Sequence, residues 1–265
     1  IKPPFLLHLQ YSFQTPEKLY LVMDYINGGE LFFHLSNEGF FPEEQAKFYT
    51  AELVLALDHL HSHNILYRDL KPENVLLDAE GHVRLCDFGL CKATASTTGT
   101  LCGTAEYLAP EMLKGEGYGP EVDWWEVGVL MYEMRTGAPP FVAEEGESQV
   151  DLFRKVLYSN PPVDPAVFSD NAASLLLGLM EKDPSQRLGS NSVEDIKSHP
   201  FFACYDWDAL YNRQIEPPFK PNVADASSTA NVDEEFLNMS VADTLVEPSE
   251  LSSVVQGSAF DGFSY

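Results

Sequence analysis

Basic residues are scarce. Sixteen lysines and arginines stand against 41 aspartates and glutamates, a formal charge of -25 over 265 residues. A field of that sign repels nucleic acid and anionic lipid and draws basic partners, so nucleic acid is not an expected ligand. Long apolar runs are lacking too: stretches such as Leu53 to Leu57 fall far short of the roughly 20 residues a membrane-spanning helix needs. Cysteine is sparse, and Cys86, Cys91, Cys102 and Cys204 form no C-x-x-C pair and no regular spacing. Neither a zinc site nor a disulfide framework is expected; reduced thiols in a cytoplasmic setting are. His59, His61 and His63 alternate without a neighbouring set of Cys or carboxylate ligands, and are read as surface histidines. The opening Ile1-Lys2-Pro3-Pro4 resembles neither a signal peptide nor a start, which predicts a cut end.

The 45% hydrophobic content is enough for one large domain or two small ones. Leu6 to Phe13 and Lys18 to Tyr25 read as a hairpin around Thr15-Pro16. A breaker at Asn27-Gly28-Gly29 precedes a short helix from about Glu30. Pro42-Glu43-Glu44 is a good first helical turn, with proline early and acids at the positive end of the dipole. Ala46, Tyr49, Leu53, Ala56, Leu57 and Leu60 then recur at helical spacing. Short strands follow at 75–77 and 83–86, with a turn at Asp78 to Gly81 between them. Further helices are predicted over 121–136, 150–158, 172–181 and 192–198. After about Pro217 periodicity fades, and the sequence reads as an extended tail that orders only where it docks.

The chemistry concentrates between those two short strands and the helix before them. Asp69, Lys71 and Asn74 share one loop, and Asp87 follows the second strand. An acid can orient a hydroxyl, an amine can neutralise a phosphate oxygen, and Asn with Asp can hold a divalent metal, which suits phosphoryl transfer. Any one of these residues alone would be a surface charge. Together they form an ordered series: "YRDLKPEN" at 67–74, "DFG" at 87–89 and "APE" at 109–111.

On those motifs the chain resembles the AGC group of serine/threonine protein kinases, most of all the serum- and glucocorticoid-regulated and fungal Ypk types. The resemblance runs from "FQTPEKLYLVMDYINGGELFFHL" to "FDGFSY". It implies an α+β, protein-kinase-like fold: a mainly helical C-lobe (27–202), a remnant of the N-lobe antiparallel sheet and the hinge (1–26), and an extended C-terminal regulatory tail (203–265). It implies ATP and magnesium as cofactors. Asp69 resembles the catalytic base, Lys71 the γ-phosphate contact, and Asn74 and Asp87 the metal ligands. Met23 falls at the gatekeeper, Asp24, Tyr25 and Ile26 at the adenine-contacting hinge, and Leu76 on the pocket floor. Phe236 matches the tail residue that lies over the nucleotide. Glu30 and Glu73 match acids that contact ribose and substrate arginines, which implies arginine-rich protein substrates.

Regulation follows from the same resemblance. Thr100 falls at the activation-segment phosphosite, the target of an upstream kinase, with Arg68 and Lys92 as its phosphate clasp. Thr104 resembles the threonine that bridges base and lysine. Thr244 and Ser264 resemble tail phosphosites. Glu111 and Arg187 match a buried structural ion pair, and Asp123 an acid that braces the catalytic loop.

The departures are equally specific. Ala105 stands where the family has proline, Leu101 and Val232 where it has phenylalanine. Glu126 and Arg135 replace smaller or apolar residues on one helix. Nine residues of rise, roughly 13.5 Å, separate the two, and both are expected at helix edges reaching water. Before the hinge there is no glycine, and the only lysines are Lys2 and Lys18. The family's glycine-rich loop, strand lysine and helix glutamate are therefore unmatched. The expectation is a fragment of a longer kinase; the alternative is a truncated pseudokinase that docks partners and transfers nothing.

Overall fold

Twenty residues without glycine or proline, rich in alanine and leucine, build the central helix. In the computed structural model, which describes residues 3–15, 18–93 and 97–239, it spans Glu43–Ser62. The expected phosphosites Thr244 and Ser264 lie outside the described residues. Two elements precede this helix (α2): a hairpin of β1 (Leu9–Gln14) and β2 (Leu19–Met23), then α1 (Leu31–Glu38). β3 (Ile65–Leu66) follows, then the hairpin of β4 (Val75–Leu77) and β5 (Val83–Leu85), and β6 (Lys92–Ala93), which pairs with β3. The rest of the described chain is helical or extended: α3 (Pro110–Lys114), α4 (Glu121–Thr136), α5 (Gln149–Tyr158), α6 (Asp170–Leu179), α7 (Val193–Lys197), α8 (Trp207–Tyr211) and α9 (Glu234–Leu237). No described helix is long and apolar enough to cross a membrane.

The core is the stack of α2, α4 and α6. α2 packs on α4 and α4 on α6, and Leu53, Val54 and Leu57 of α2, Val127, Leu130, Met131 and Met134 of α4, and Leu175, Leu176 and Leu179 of α6 are all buried in that core. Gly128 lets α4 and α6 close on one another, because a Cβ there would stand 2.7 Å from Met180 Cγ. Each buried leucine or methionine contributes on the order of 2 kcal/mol by leaving water. The β1–β2 hairpin lies outside this core: Tyr11 and Leu21 are more than half exposed. Leu6 and Leu7, expected in the first strand, instead run beside β5, where Leu7 N–H donates to Leu85 O and Leu85 N–H to Phe5 O. That parallel stitch fastens the hairpin's base to the helical body.

One expectation fails on α4. Glu126 does not sit at a solvent edge. The helix is enclosed nearly all round, so Glu126 is 1% exposed, and its Oε2 accepts the Leu70 N–H at 3.0 Å. Arg135 is half-buried and donates to the carbonyls of Phe41 and Val167, joining the turns ahead of α2 and α6. His61 is no surface histidine either: its Nε2 lies 2.6 Å from Asp123 Oδ2.

Glu111 and Arg187 form the expected buried pair. Arg187 Nη1 and Nη2 donate to Glu111 Oε1 and Oε2 at 2.6 and 2.8 Å, and further bonds reach Glu121 O and Glu181 O. Both residues are 1% exposed. The guanidinium thus ties α3, the start of α4 and the turn after α6 to one point. Arg187→Ala would strand a buried carboxylate, and is expected to lower the unfolding free energy in urea titrations by about 3–5 kcal/mol. Apolar replacement of both partners together should cost less than that single change.

Candidate active site

The loop between β3 and β4 is held from behind by carboxylates of α4. Asp123, fully buried in the first turn of α4, accepts Tyr67 N–H at 3.0 Å and Arg68 N–H at 2.8 Å. Those bonds secure Arg68 in the left-handed region, φ 68°, which costs a non-glycine residue about 1–2 kcal/mol. Arg68's side chain turns away from solvent, its Nε donating to Leu90 O at 2.9 Å and its Nη1 to the Tyr118 hydroxyl at 3.1 Å. The Tyr67 hydroxyl donates to Cys86 O, coupling this loop to the segment after β5.

Asp69, next along, faces the opposite way. Asn74 Nδ2 donates at 2.8 Å both to the Asp69 carbonyl and to Asp69 Oδ2. Lys71 Nζ lies 3.4 Å from Asp69 Oδ2 and 3.4 Å from Thr104 Oγ1. The hairpin register pairs Val75 with Leu85, and Cys86 N–H continues the ladder to Asn74 O at 2.9 Å. Asp87 therefore emerges at the same end of the hairpin as Asn74. Its φ is 51°, and its Oδ1 accepts Gly89 N–H at 3.0 Å, a local turn that leaves Oδ2 uncommitted among the described residues. Asp69, Lys71, Asn74, Thr104 and Asp87 thus gather around one end of β4–β5.

A cavity of 370 Å³ opens between residues 24–30, α1 and the tail, and reaches β4 at Leu76. Asp24, Tyr25, Ile26, Glu30, Leu76 and Phe236 line it, as do Phe32 and the tail residues Asn231 and Asp233. Met23 does not: it ends β2 and is 47% exposed. The far wall is the tail, laid across residues 25–29. Tyr25 Oη donates to Ser228 O, Asn27 Nδ2 to Asp225 O, and Asn231 Nδ2 to Asn27 O. The crossing is close enough that a Cβ on Gly29, φ 84°, would overlap Asn231 O.

Acid charge accumulates at the mouth. Burial, then Glu73 and Asp233 nearby, raise the Glu30 carboxyl above its ordinary range. Glu133 is raised likewise by burial, with Glu73 and Glu106 adding to the shift and the Tyr107 hydroxyl opposing it. Carboxylates that raise one another define a place where a cation would be welcome. Glu133 and Glu106 escaped the sequence reading. For Glu133 a signal was available: a carboxylate on a largely buried helix is costly unless something claims it.

The activation segment is arranged differently from the expected clasp. Thr100 is exposed, and the Tyr118 hydroxyl donates to its backbone carbonyl. Lys92 Nζ donates instead to Thr98 Oγ1 at 2.6 Å, and Thr98 is buried. Arg68 reaches Thr100 only through Tyr118. Among the described residues no cluster of three or more His, Cys, Asp or Glu forms a metal site. The His59 and His63 rings lie 4.6 Å apart, tilted by 40°.

Gly29→Ala is expected to push the tail off the hinge. Amide exchange over residues 222–236 should then accelerate by about tenfold or more, while α4 stays protected.

Residues 1–202 match the protein kinase domain family, and residues 223–265 the protein kinase C terminal domain. The chain is 51% identical over its whole length to the serine/threonine-protein kinase gad8 of Schizosaccharomyces pombe, covering 46% of that protein. Against the serine/threonine-protein kinase YPK1 of Saccharomyces cerevisiae the identity is 49%, over 99% of this chain and 38% of the relative. The serine/threonine-protein kinase Sgk2 of Rattus norvegicus is 49% identical over the full chain, which covers 73% of it. The chain thus spans less than half the length of those two fungal relatives. With the catalytic loop, the hinge cleft and the crossing tail already placed, these matches show that the chain belongs to the protein kinase family, in its AGC group of serine/threonine kinases.

Proposed function

We propose that this chain carries the catalytic lobe of an ATP- and magnesium-dependent serine/threonine kinase that phosphorylates proteins near arginines. One observation carries the reading. Asn74 spends its amide nitrogen on Asp69, which turns its oxygen outward, at the hairpin end where Asp87 keeps one carboxylate oxygen uncommitted. Hard oxygen donors of this kind fit magnesium. The cleft fits a nucleoside, with Ile26, Leu76 and Phe236 as apolar walls and Glu30 as a hydroxyl acceptor. When bound, ATP and magnesium would supply the phosphoryl group and neutralise its oxygens.

The chain's own residues do the rest. Asp69, oriented by two bonds from one amide, would accept the proton of the substrate hydroxyl and aim its oxygen. Lys71 balances charge beside it, and Thr104 ties that lysine to the activation segment. Glu30, Glu73, Glu106, Glu133 and Asp233 would receive substrate arginines, relieving their mutual repulsion. A phosphate placed on Thr100 by an upstream kinase would compete for Lys92, now on Thr98, and for Arg68. Free thiols at all four cysteines support a reducing, cytoplasmic setting.

A second reading has its own support. The 265 residues contain no glycine ahead of the hinge and no strand lysine to bind the α- and β-phosphates. By itself this polypeptide would dock basic partners through the acidic mouth and turn over ATP barely or not at all.

Two assays separate these readings. Joined behind the small-lobe segment of a fungal relative, the chain is expected to phosphorylate an R-x-R-x-x-S peptide. Asp69→Asn should then cut kcat by roughly 10²–10⁴-fold, and Asp87→Asn should remove the response to magnesium. Unimpaired turnover by Asp69→Asn would sink the assignment. Residues 1–265 alone are expected to stay at background on the same peptide. Robust phosphorylation by them, abolished by Asp69→Asn, would overturn the second reading.

A further inference from the structure

Beneath the catalytic loop lie two carboxylates, not one. Asp123 and Glu126 stand three residues apart on α4, hence on one face, and divide the loop's backbone between them. Asp123 accepts Tyr67 and Arg68 N–H, Glu126 accepts Leu70 N–H, and the residue left between is Asp69. The two acids differ in their partners. Asp123 has three donors, His61 included, over which to spread a negative charge. Glu126 has one neutral peptide N–H.

The groups that face Glu126 make a charge there costlier still. They are Asp123 on its own helix, Asp69 and the Tyr67 phenol on the catalytic loop, and Cys102 and the Tyr107 phenol on the activation segment. All are acidic or weakly acidic. For a carboxyl with 1% exposure, a single backbone donor in Leu70 N–H and acidic neighbours, the neutral acid is the favoured form. Burial and Asp123 accordingly raise its carboxyl well above the ordinary range.

We propose that Glu126 is a positioning residue for Asp69: as a neutral acid it fixes the Leu70 peptide, so that Asp69 is clamped on both sides by side chains of α4. The inference gives Asp69 a support that the catalytic-loop motif does not contain. Its interest rests on Asp69 being the catalytic base, but its test does not. Ionisation of Glu126 would place a second charge against Asp123 and Asp69, and loosen the Leu70 side of the clamp.

Amide exchange and melting of the 265-residue chain decide the matter, with Glu126→Ala and Glu126→Gln as the variants. Gln keeps a neutral acceptor of the same shape. Ala removes it. At neutral pH, Ala is expected to cut protection of the Leu70 amide by about tenfold or more while Tyr67 and Arg68 change little. Gln should restore Leu70 to near the parent. Equal loss in both variants would mean that Glu126 holds Leu70 as a charged group, and would overturn the neutral assignment. Unchanged Leu70 protection in Ala would overturn the positioning role.

Melting gives the sign independently. A carboxyl raised in the folded state binds more protons there than when unfolded. Its contribution is therefore complete below the unfolded value of 4.5 and is lost as pH climbs toward the folded one. The parent should lose melting temperature relative to Glu126→Gln as pH rises above about 4.5. Parallel melting of the two across that range would overturn the neutral assignment. A failure of the kinase reading would instead show as phosphorylation that ignores Asp69→Asn, with these exchange and melting results untouched.

Discussion

The site depends on the Asp123 carboxylate. A short loop must turn sharply between β3 and β4, and that turn forces Arg68 into left-handed backbone geometry that its side chain resists. Nothing local offsets the strain. The compensation comes from α4, whose fully buried aspartate takes two consecutive N–H groups. His61 holds the carboxylate from the other side, so the last turn of α2 also has a part in aiming the loop. With the backbone committed this way, Asp69 projects toward Asn74 and Arg68 toward the activation segment. Catalytic geometry is thus set by helix packing.

Interior carboxylates serve backbone elsewhere too. Glu52, fully buried in α2, accepts Val83 N–H at 2.8 Å and pairs with His82 at 2.6 Å, anchoring β5. Nearer the surface, Glu43 accepts Ser169 N–H at 3.0 Å at the entry to α6. In each case a rigid helix lends an acceptor to a segment that lacks a regular partner, and for Glu52 the bond offsets the cost of burying a polar group. A chain so rich in acids has the material for this, and uses it where loops pass over α2 and α4.

Much of this was legible beforehand, and the parts that were not share a cause. The strand pair at 75–77 and 83–85 and the helix at 121–136 fall where periodicity and turn residues put them. Asp69, Lys71 and Asn74 could be grouped because they lie within six residues of one another. Asp87 could join them because a tight hairpin brings its two ends together. The errors involve partners distant in sequence. Glu126 looked like a surface charge because its hydrogen-bond partner, Leu70, lies 56 residues earlier, and His61 likewise because Asp123 lies 62 residues later. The two-residue strands β3 and β6 carry too few residues to show any period.

The tail's path across the hinge bears on how the molecule assembles. Its bonds to Tyr25 and Asn27 span 198 to 204 residues of chain, whereas those fixing the catalytic loop span at most 62. Closing a longer loop costs more entropy, although the cost grows only logarithmically. More decisively, residues near 230 leave the ribosome long after α2 and α4 have emerged. A nascent chain would therefore anchor its catalytic aspartate while one side of the nucleoside cleft still stood open, and that side would be sealed only once residues 225–231 had emerged.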